Sequence, residues 1–331
     1  MEDSIIRVKE LKKTFKVNKR PKGLPGQIAN LFVPKYKIQN AVNGIDFEIK
    51  KGEAVGFVGA NGAGKSTTIK ILSGILYPDS GEVTVAGYVP YKQRRQYVSH
   101  IGVVFGQKSQ LSWDLPVIDS FELLKHIYKI PDAMYKANLD KFTELLDMSS
   151  FIEKPVRQLS LGQRMRSDIA ASLLHSPELV FFDEPTIGLD VVAKERIREF
   201  VRYINKEQNV TMIFTTHDMQ DIEQTCKRMI LIDKGVKLYD GGVRDIVSKY
   251  GKERKLIVQF AKPCEVEEIP DVIIEEKENN KKIFAFDSDL VSMKELIASL
   301  INKYEINDLT IEEMGIESVV RKIYEGGIKI A

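Results

Sequence analysis

The chain has little cysteine, tryptophan or histidine: two, one and four residues among 331. Cys226 and Cys264 stand apart, without the paired spacing of a metal knuckle, so reduced structural thiols are expected. No apolar run approaches the roughly 18 residues that a membrane-spanning helix needs. The opening MEDSIIRVKE is charged and has no apolar signal-peptide core, which points to a cytosolic protein. The net charge of +2 is too small to mark a dedicated nucleic-acid binder. What is present, 43% hydrophobic and 29% charged residues, is the balance of a globular protein, and the length exceeds that of one average domain.

One absence is local. From Leu11 to Ile45 there is no Asp or Glu, while Lys12, Lys13, Lys16, Lys19, Arg20, Lys22, Lys35 and Lys37 are basic. After Gly251 the balance turns acidic, with EVEE and EEKE. That shift sets an expected boundary between a domain at 1–250 and another at 251–331.

IIRVK and IDFEI read as short strands flanking the basic segment, an enlarged hairpin loop with a short helix candidate at QIANLF. GEAVGFVG is strand-like and ends on glycine; STTIKILSGI follows at helical spacing. GEVTVAG reads as a strand. Helical patterns then fill about 116–172, punctuated by Pro116 and Pro131. LVFFD and TMIFTTH are continuous apolar runs, as expected of strands buried on both faces. An amphipathic helix, AKERIREFVRYINKE, lies between them, and RMILID and KGVKLYDG end the series. Alternating strands and helices indicate an α/β fold around a mostly parallel sheet, with a separate helical lobe at about 116–172. The tail reads as a small α+β unit: strands at KLIVQF, DVIIEEKE, KKIFAFD and INDLTIEE, and a helix at VSMKELIASLINKY.

GANGAGKST, from Gly59 through Ala60, Asn61, Gly62, Ala63, Gly64, Lys65 and Ser66 to Thr67, fits the P-loop pattern G-x-x-x-x-G-K-[ST] and stands between a strand and a helix. Its glycines let backbone N–H groups turn toward one anion, and the helix dipole adds to the attraction. Lys65 would reach the β- and γ-phosphates of ATP, and Ser66 would ligate Mg²⁺. A carboxylate at the end of a buried strand should complete the site. LVFFDEP supplies Asp183 for the metal and Glu184 to polarise the attacking water. Neighbouring strand residues face opposite ways, so the pair serves both roles only if the strand ends there, which Pro185 favours. The other reading is an acidic strand terminus facing solvent.

These residues carry a resemblance. The P-loop, Gln107 in VVFGQ, LSLGQ at 159–163, LVFFDE at 179–184, GLD at 188–190 and His217 in TTHD stand in the order of the ATP-binding subunits of ABC transporters, over roughly residues 5–245. The resemblance implies a P-loop NTPase fold with a helical lobe and an ATPase activity. It further implies that a second copy, or a homologous ATPase, packs head to tail, so that LSLGQ of one subunit closes over ATP on the P-loop of the other. Ser160, Gly162 and Gln163 would contact that nucleotide. Leu161 departs from the usual glycine, and the contacts survive if its side chain points away. The alternative is an ordinary helix start capped by Ser160.

By the same resemblance Gln107 senses Mg²⁺ and water, His217 contacts the γ-phosphate and Asp190 communicates across the dimer. Phe15 would stack under adenine; the other reading is a core Phe at a strand end. Trp113 would line a groove that receives a permease, or pack in the core of the lobe. The basic loop would touch lipid headgroups or a membrane partner, or is simply solvated. GVVFGQKSQLSWDLPVIDSFELL, LSLGQRMR and TIGLDVVAKERIREF are similar to ATPase subunits of ABC-2-type exporters of the daunorubicin, multidrug and viologen type. A separate integral membrane permease is then the expected partner, at the cytoplasmic face of the membrane, and members of that group commonly bear a C-terminal extension like residues 251–331. Two other readings stand beside this one. A non-transport ABC ATPase acting on nucleic acid or ribosomes would normally carry long coiled coils or a second cassette, and one P-loop is present. A P-loop kinase leaves LSLGQ and GLD unexplained.

Overall fold

A computed structural model of the protein describes residues 4–18, 36–106, 108–277 and 280–326. Gln107 and most of the basic segment lie outside the described residues. The chain divides into two compact units, 1–240 and 241–331.

In the first unit β1 (Ser4–Asn18) and β2 (Tyr36–Lys50) form an antiparallel hairpin. Pairing continues to Asn18 and Tyr36, well beyond IIRVK and IDFEI. The inner half buries Ile6, Val8, Leu11, Val42, Ile45, Phe47 and Ile49. The outer half is largely exposed, so no apolar alternation announces it. The central strand, β3 (Ala54–Gly59), precedes β4 (Ser80–Val85), which pairs with β1 to complete a three-stranded sheet.

The main sheet adds β5 (Ile101–Phe105), β6 (Leu179–Asp183), β7 (Thr211–Thr216), β8 (Arg228–Asp233) and β9 (Val236–Gly242), in the order β5-β6-β7-β3-β8-β9. The first five strands of that order run parallel. Strands covered on both faces must be apolar throughout. Leu179, Val180, Phe181 and Phe182 are accordingly fully buried, each worth roughly 1.5–3 kcal/mol.

The helices of this unit are α1 (Lys65–Leu72), α2 (Arg94–Tyr97), α3 (Val117–Tyr128), α4 (Asp132–Leu145), α5 (Leu161–Leu173), α6 (Val191–Gln208) and α7 (Met219–Thr225). The segment at about 116–172, expected as a helical lobe, holds α3, α4 and nearly all of α5. Helix α1 stops before the end of STTIKILSGI: Ser73 is its C-cap and Gly74 turns left-handed at φ 72°. Ile69 and Leu72 are therefore buried while Ile75 is exposed.

The second unit holds α8 (Val243–Tyr250), β10 (Glu253–Phe260), β11 (Val272–Lys277), β12 (Lys281–Asp287), α9 (Met293–Lys303), β13 (Ile306–Glu313) and α10 (Ile316–Tyr324). Its antiparallel sheet runs β11-β12-β10-β13. Leu256, Val258, Phe260, Phe284 and Phe286 pack with Leu296 and Leu300 of α9. Helix α10 buries Ile316, Val319, Val320 and Ile323. Helix α8 packs on α10, so the division falls at 240 rather than at the expected 250.

The topology of the main sheet decides where a ligand fits. Ligands of open parallel sheets bind beyond the carboxyl ends of the strands. Side by side at those ends lie Gly106 after β5, Asp183 and Glu184 at β6, Thr216 and His217 at β7, and the P-loop after β3.

Candidate functional site

The P-loop is held from outside by backbone. Gly235 N donates to Ala63 O at 2.9 Å, and Asn43 N donates to Gly235 O at 2.8 Å. Gly64, the N-cap of α1, has φ 112°, and a methyl added there would stand 2.3 Å from Ala41 O. Only glycine fits that position. Inside the loop Lys65 is buried, and its Nζ donates to Gly59 O at 2.6 Å and Ala60 O at 3.2 Å. Burial pushes its pKa below the usual ammonium range, and the charges of Glu184 and Asp183 oppose that push.

Strand β6 ends at Asp183, and Glu184 takes φ 53°. This left-handed turn is what lets two adjacent acids serve one cleft. For a non-glycine residue it costs about 1–2 kcal/mol. The Glu184 N–H offsets that cost by donating to Thr215 O at 3.0 Å and to Thr215 Oγ1 at 3.1 Å. Asp183 Oδ1 accepts from Ser66 Oγ at 3.1 Å and from Thr215 Oγ1 at 2.8 Å. Glu184 Oε1 lies 4.0 Å from Lys65 Nζ and 3.7 Å from His217 Nδ1. Lys65, Ser66, Asp183, Glu184 and His217, far apart in sequence, thus surround one cleft.

That cleft has two lobes. One, of about 390 Å³, runs from Phe15, Val17 and Gln39 to Gly64, Lys65, Thr67 and Glu184. The other, of about 560 Å³, is lined by Ser66, Phe105, Lys108, Asp183, Glu184 and His217. Both include Asn61, and both fall within the roughly 300–1,000 Å³ of small-molecule sites. Phe15 is half-exposed on the wall and not packed in the core. Its strand is braced by Asp79, which accepts from Lys13 Nζ, Thr14 N and Thr14 Oγ1 at 2.7 Å each. The Lys13 bond, then those from Thr14, hold the Asp79 carboxyl down at about 2.

LSLGQ lies elsewhere: among the described residues that line the cleft, none comes from it. Ser160 is the N-cap of α5 in a capping box. Its Oγ accepts from Gln163 N at 3.2 Å, and Gln163 Oε1 accepts from Ser160 N at 3.0 Å. The cap uses an acceptor lone pair, so the hydroxyl proton stays available. Leu161 reaches toward GLD: its Cδ2 is 3.2 Å from where a methyl on Gly188 would sit. Gly162 faces Ala193, whose Cβ is 3.2 Å from a methyl built on the glycine. Asp190 caps α6, its Oδ1 accepting from Ala193 N at 2.8 Å. Trp113 is half-exposed rather than in the core, with the Arg164 guanidinium 5.8 Å from its ring centroid.

Several supporting residues are not announced by any motif. Val17, Gln39 and Ala41 join Phe15 on the cleft wall. Asp221, fully buried, accepts from Arg198 Nε at 2.7 Å, from Thr216 Oγ1 at 3.3 Å and from the Thr186 hydroxyl. It thereby joins α6, the end of β7 and the segment after Glu184. Asp168, 3% exposed, joins α5 to the loop after β5.

Comparison with known proteins agrees with this geometry. A family model described as ABC transporter matches residues 42–187. The ABC transporter ATP-binding protein NatA of Bacillus subtilis (strain 168) is 32% identical over 223 residues, covering 67% of this chain and 89% of that protein. The linearmycin resistance ATP-binding protein LnrL of the same organism is 35% identical over 216 residues, covering 65% of this chain and 69% of that protein. A bacterial ABC transporter cassette solved as a dimer is 27% identical with a TM-score of 0.58, covering 72% of this chain and 98% of that one. The chain therefore belongs to the ATP-binding proteins of ABC transporters, and its activity is the hydrolysis of ATP.

Proposed function

We propose that this ATPase drives an ABC-2-type permease as an exporter, and that two copies close head to tail over two ATP molecules. The carrying observation is the separation of the P-loop cleft from the start of the LSLGQ helix. The P-loop cleft is built within one chain, whereas the capped start of α5 contributes nothing to it. A second subunit would give that helix start a phosphate to face. The name of LnrL, a resistance protein, supports the exporter reading. Among the described residues no helix is long and apolar enough to cross a membrane, so a permease partner would supply the spans.

Within the cleft each residue has a proposed task. Phe15 and Val17 offer an apolar wall to adenine. Backbone N–H groups from Gly59 to Thr67 surround the phosphates, and Lys65 neutralises the β- and γ-oxygens. Ser66 Oγ and Asp183 Oδ1, 3.1 Å apart, are hard oxygen donors that suit Mg²⁺. When bound, Mg²⁺ would neutralise charge on the phosphates. Glu184 orients the attacking water, and His217 holds Glu184 and the γ-phosphate in register. Across the dimer, Ser160, Gly162 and Gln163 would contact the partner's ATP and Asp190 would contact the partner.

The test is purification of a tagged Glu184→Gln chain with ATP from native membranes. A polytopic membrane protein in near-equal amount, which restores ATP-dependent export with the wild-type chain, supports the proposal. Ribosomes, nucleic acid or soluble proteins alone would leave the ATPase and reassign its task.

A further inference from the structure

The loop after β5 touches the cleft at one end and the LSLGQ helix at the other. At the near end Gly106 N donates to Asp183 O at 2.8 Å, and a methyl on Gly106 would stand 2.1 Å from Glu184 O. The loop backbone thus lies directly on the two acids. Lys108 N donates to Phe105 O at 3.0 Å, and Lys108 lines the same lobe of the cleft as Asp183, Glu184 and His217. At the far end Ser109 Oγ and Gln110 N both donate to Asp168 Oδ1 at 2.9 Å, and Gln110 Nε2 donates to Asp168 O at 2.9 Å. Asp168 is in the interior of α5, the helix that Ser160 caps.

A carboxylate in this place is unfavourable on two counts. Asp is a poor helix former, and burial pushes its carboxyl up to about 6 against the bonds from Gln110 and Ser109. An apolar side chain would pack at lower cost but would leave a hydroxyl and a backbone N–H without their acceptor.

We propose that Asp168 is a positioning residue that couples the LSLGQ helix to the loop resting on Asp183 and Glu184, so that displacement of the helix start changes the geometry of the water site. A helix is stiff along its axis, so a shift at Ser160 arrives at Asp168 and passes through Ser109 and Gln110. The proposal rests on Glu184 acting at the water site.

The test uses the full chain and the variants Asp168→Ala, Asp168→Asn, Ser109→Ala and the double Ser109→Ala/Asp168→Ala, with Glu184→Gln alongside. Asp168→Ala is expected to lower kcat about tenfold with KM for ATP within about threefold, as for a misplaced rather than a lost contact. Asp168→Asn keeps the Oδ1 acceptor and is expected to restore kcat to within about twofold. Ser109→Ala lowers kcat in the same direction, and the double variant is no worse than Asp168→Ala because the two share one contact. Unchanged kcat in Asp168→Ala overturns the coupling; so does an Asn variant as poor as Ala, or additive losses in the double variant. Should Asp168→Ala not fold, Ser109→Ala decides, and its unchanged kcat overturns the proposal. Normal turnover in Glu184→Gln would instead remove the water-site reading, a failure separate from any of these.

Discussion

The P-loop and LSLGQ are both glycine-bearing turns at the start of a helix, but they are built differently. The P-loop is braced by Gly235, folds around a buried lysine and, with Ala41 O close by, admits no side chain at Gly64. LSLGQ satisfies itself through its capping box, and Leu161 remains 37% exposed. The first is a cleft whose walls come from its own chain. The second is a capped helix start whose cap uses only an acceptor lone pair of the Ser160 hydroxyl. A helix end is polar at little cost when capped, so it can wait for a partner without being strained.

Variants can break or sharpen that contrast. The largest effect is expected from Glu184→Gln: turnover should fall by about 100-fold or more, the range for loss of a general base, while equilibrium dialysis shows ATP still bound. Normal hydrolysis in this variant would remove Glu184 from the chemistry. Gly64→Ala should come next. Its Cβ meets Ala41 O in the P-loop, so ATP affinity should drop by about tenfold or more as the strained turn opens, with little change in thermal unfolding of the second unit.

Ser160→Ala separates a cap from a contact. Loss of the cap should cost about 1 kcal/mol, read as a lower Tm. A contact to a partner's ATP predicts a fall in kcat as well, with ATP binding to the chain unchanged. Loss of stability alone would make LSLGQ no more than a helix start. The smallest effect belongs to Asp168→Asn. Burial raises the folded carboxyl to about 6, above its ordinary value of 3.8, so the native state holds its proton more tightly than the unfolded state. The wild-type chain should lose stability from this group as pH rises from about 4 to about 6. The advantage of Asn over Asp, measured by denaturant unfolding, should therefore be larger at pH 7 than at pH 4; a pH-independent difference would contradict the burial account.

Much of the nucleotide site was legible because its chemistry is local. The P-loop announces itself by glycine spacing between a strand and a helix, and the ends of LVFFD and TMIFTTH point to the same edge of a parallel sheet. The left-handed turn at Glu184 was not legible. It depends on Thr215, which belongs to another strand. Asp168 and Asp221 were missed for a related reason. An acid within a helical pattern reads as surface, and both are buried because distant groups, Ser109 and Gln110 for one and Arg198 for the other, meet them in the fold. Helix α10 differs: Ile316, Val319, Val320 and Ile323 carry helical spacing, so the sequence does hold that signal. The outer half of the β1–β2 hairpin had no such signal, because it is largely exposed.

The central claim is that LSLGQ of one copy completes the P-loop site of another. Sedimentation of Glu184→Gln with and without ATP and Mg²⁺, beside the same chain carrying Ser160→Arg, tests it most directly. The account predicts an ATP-dependent dimer that the arginine abolishes while ATP binding to the monomer persists. A dimer indifferent to Ser160→Arg, or to ATP, would contradict it.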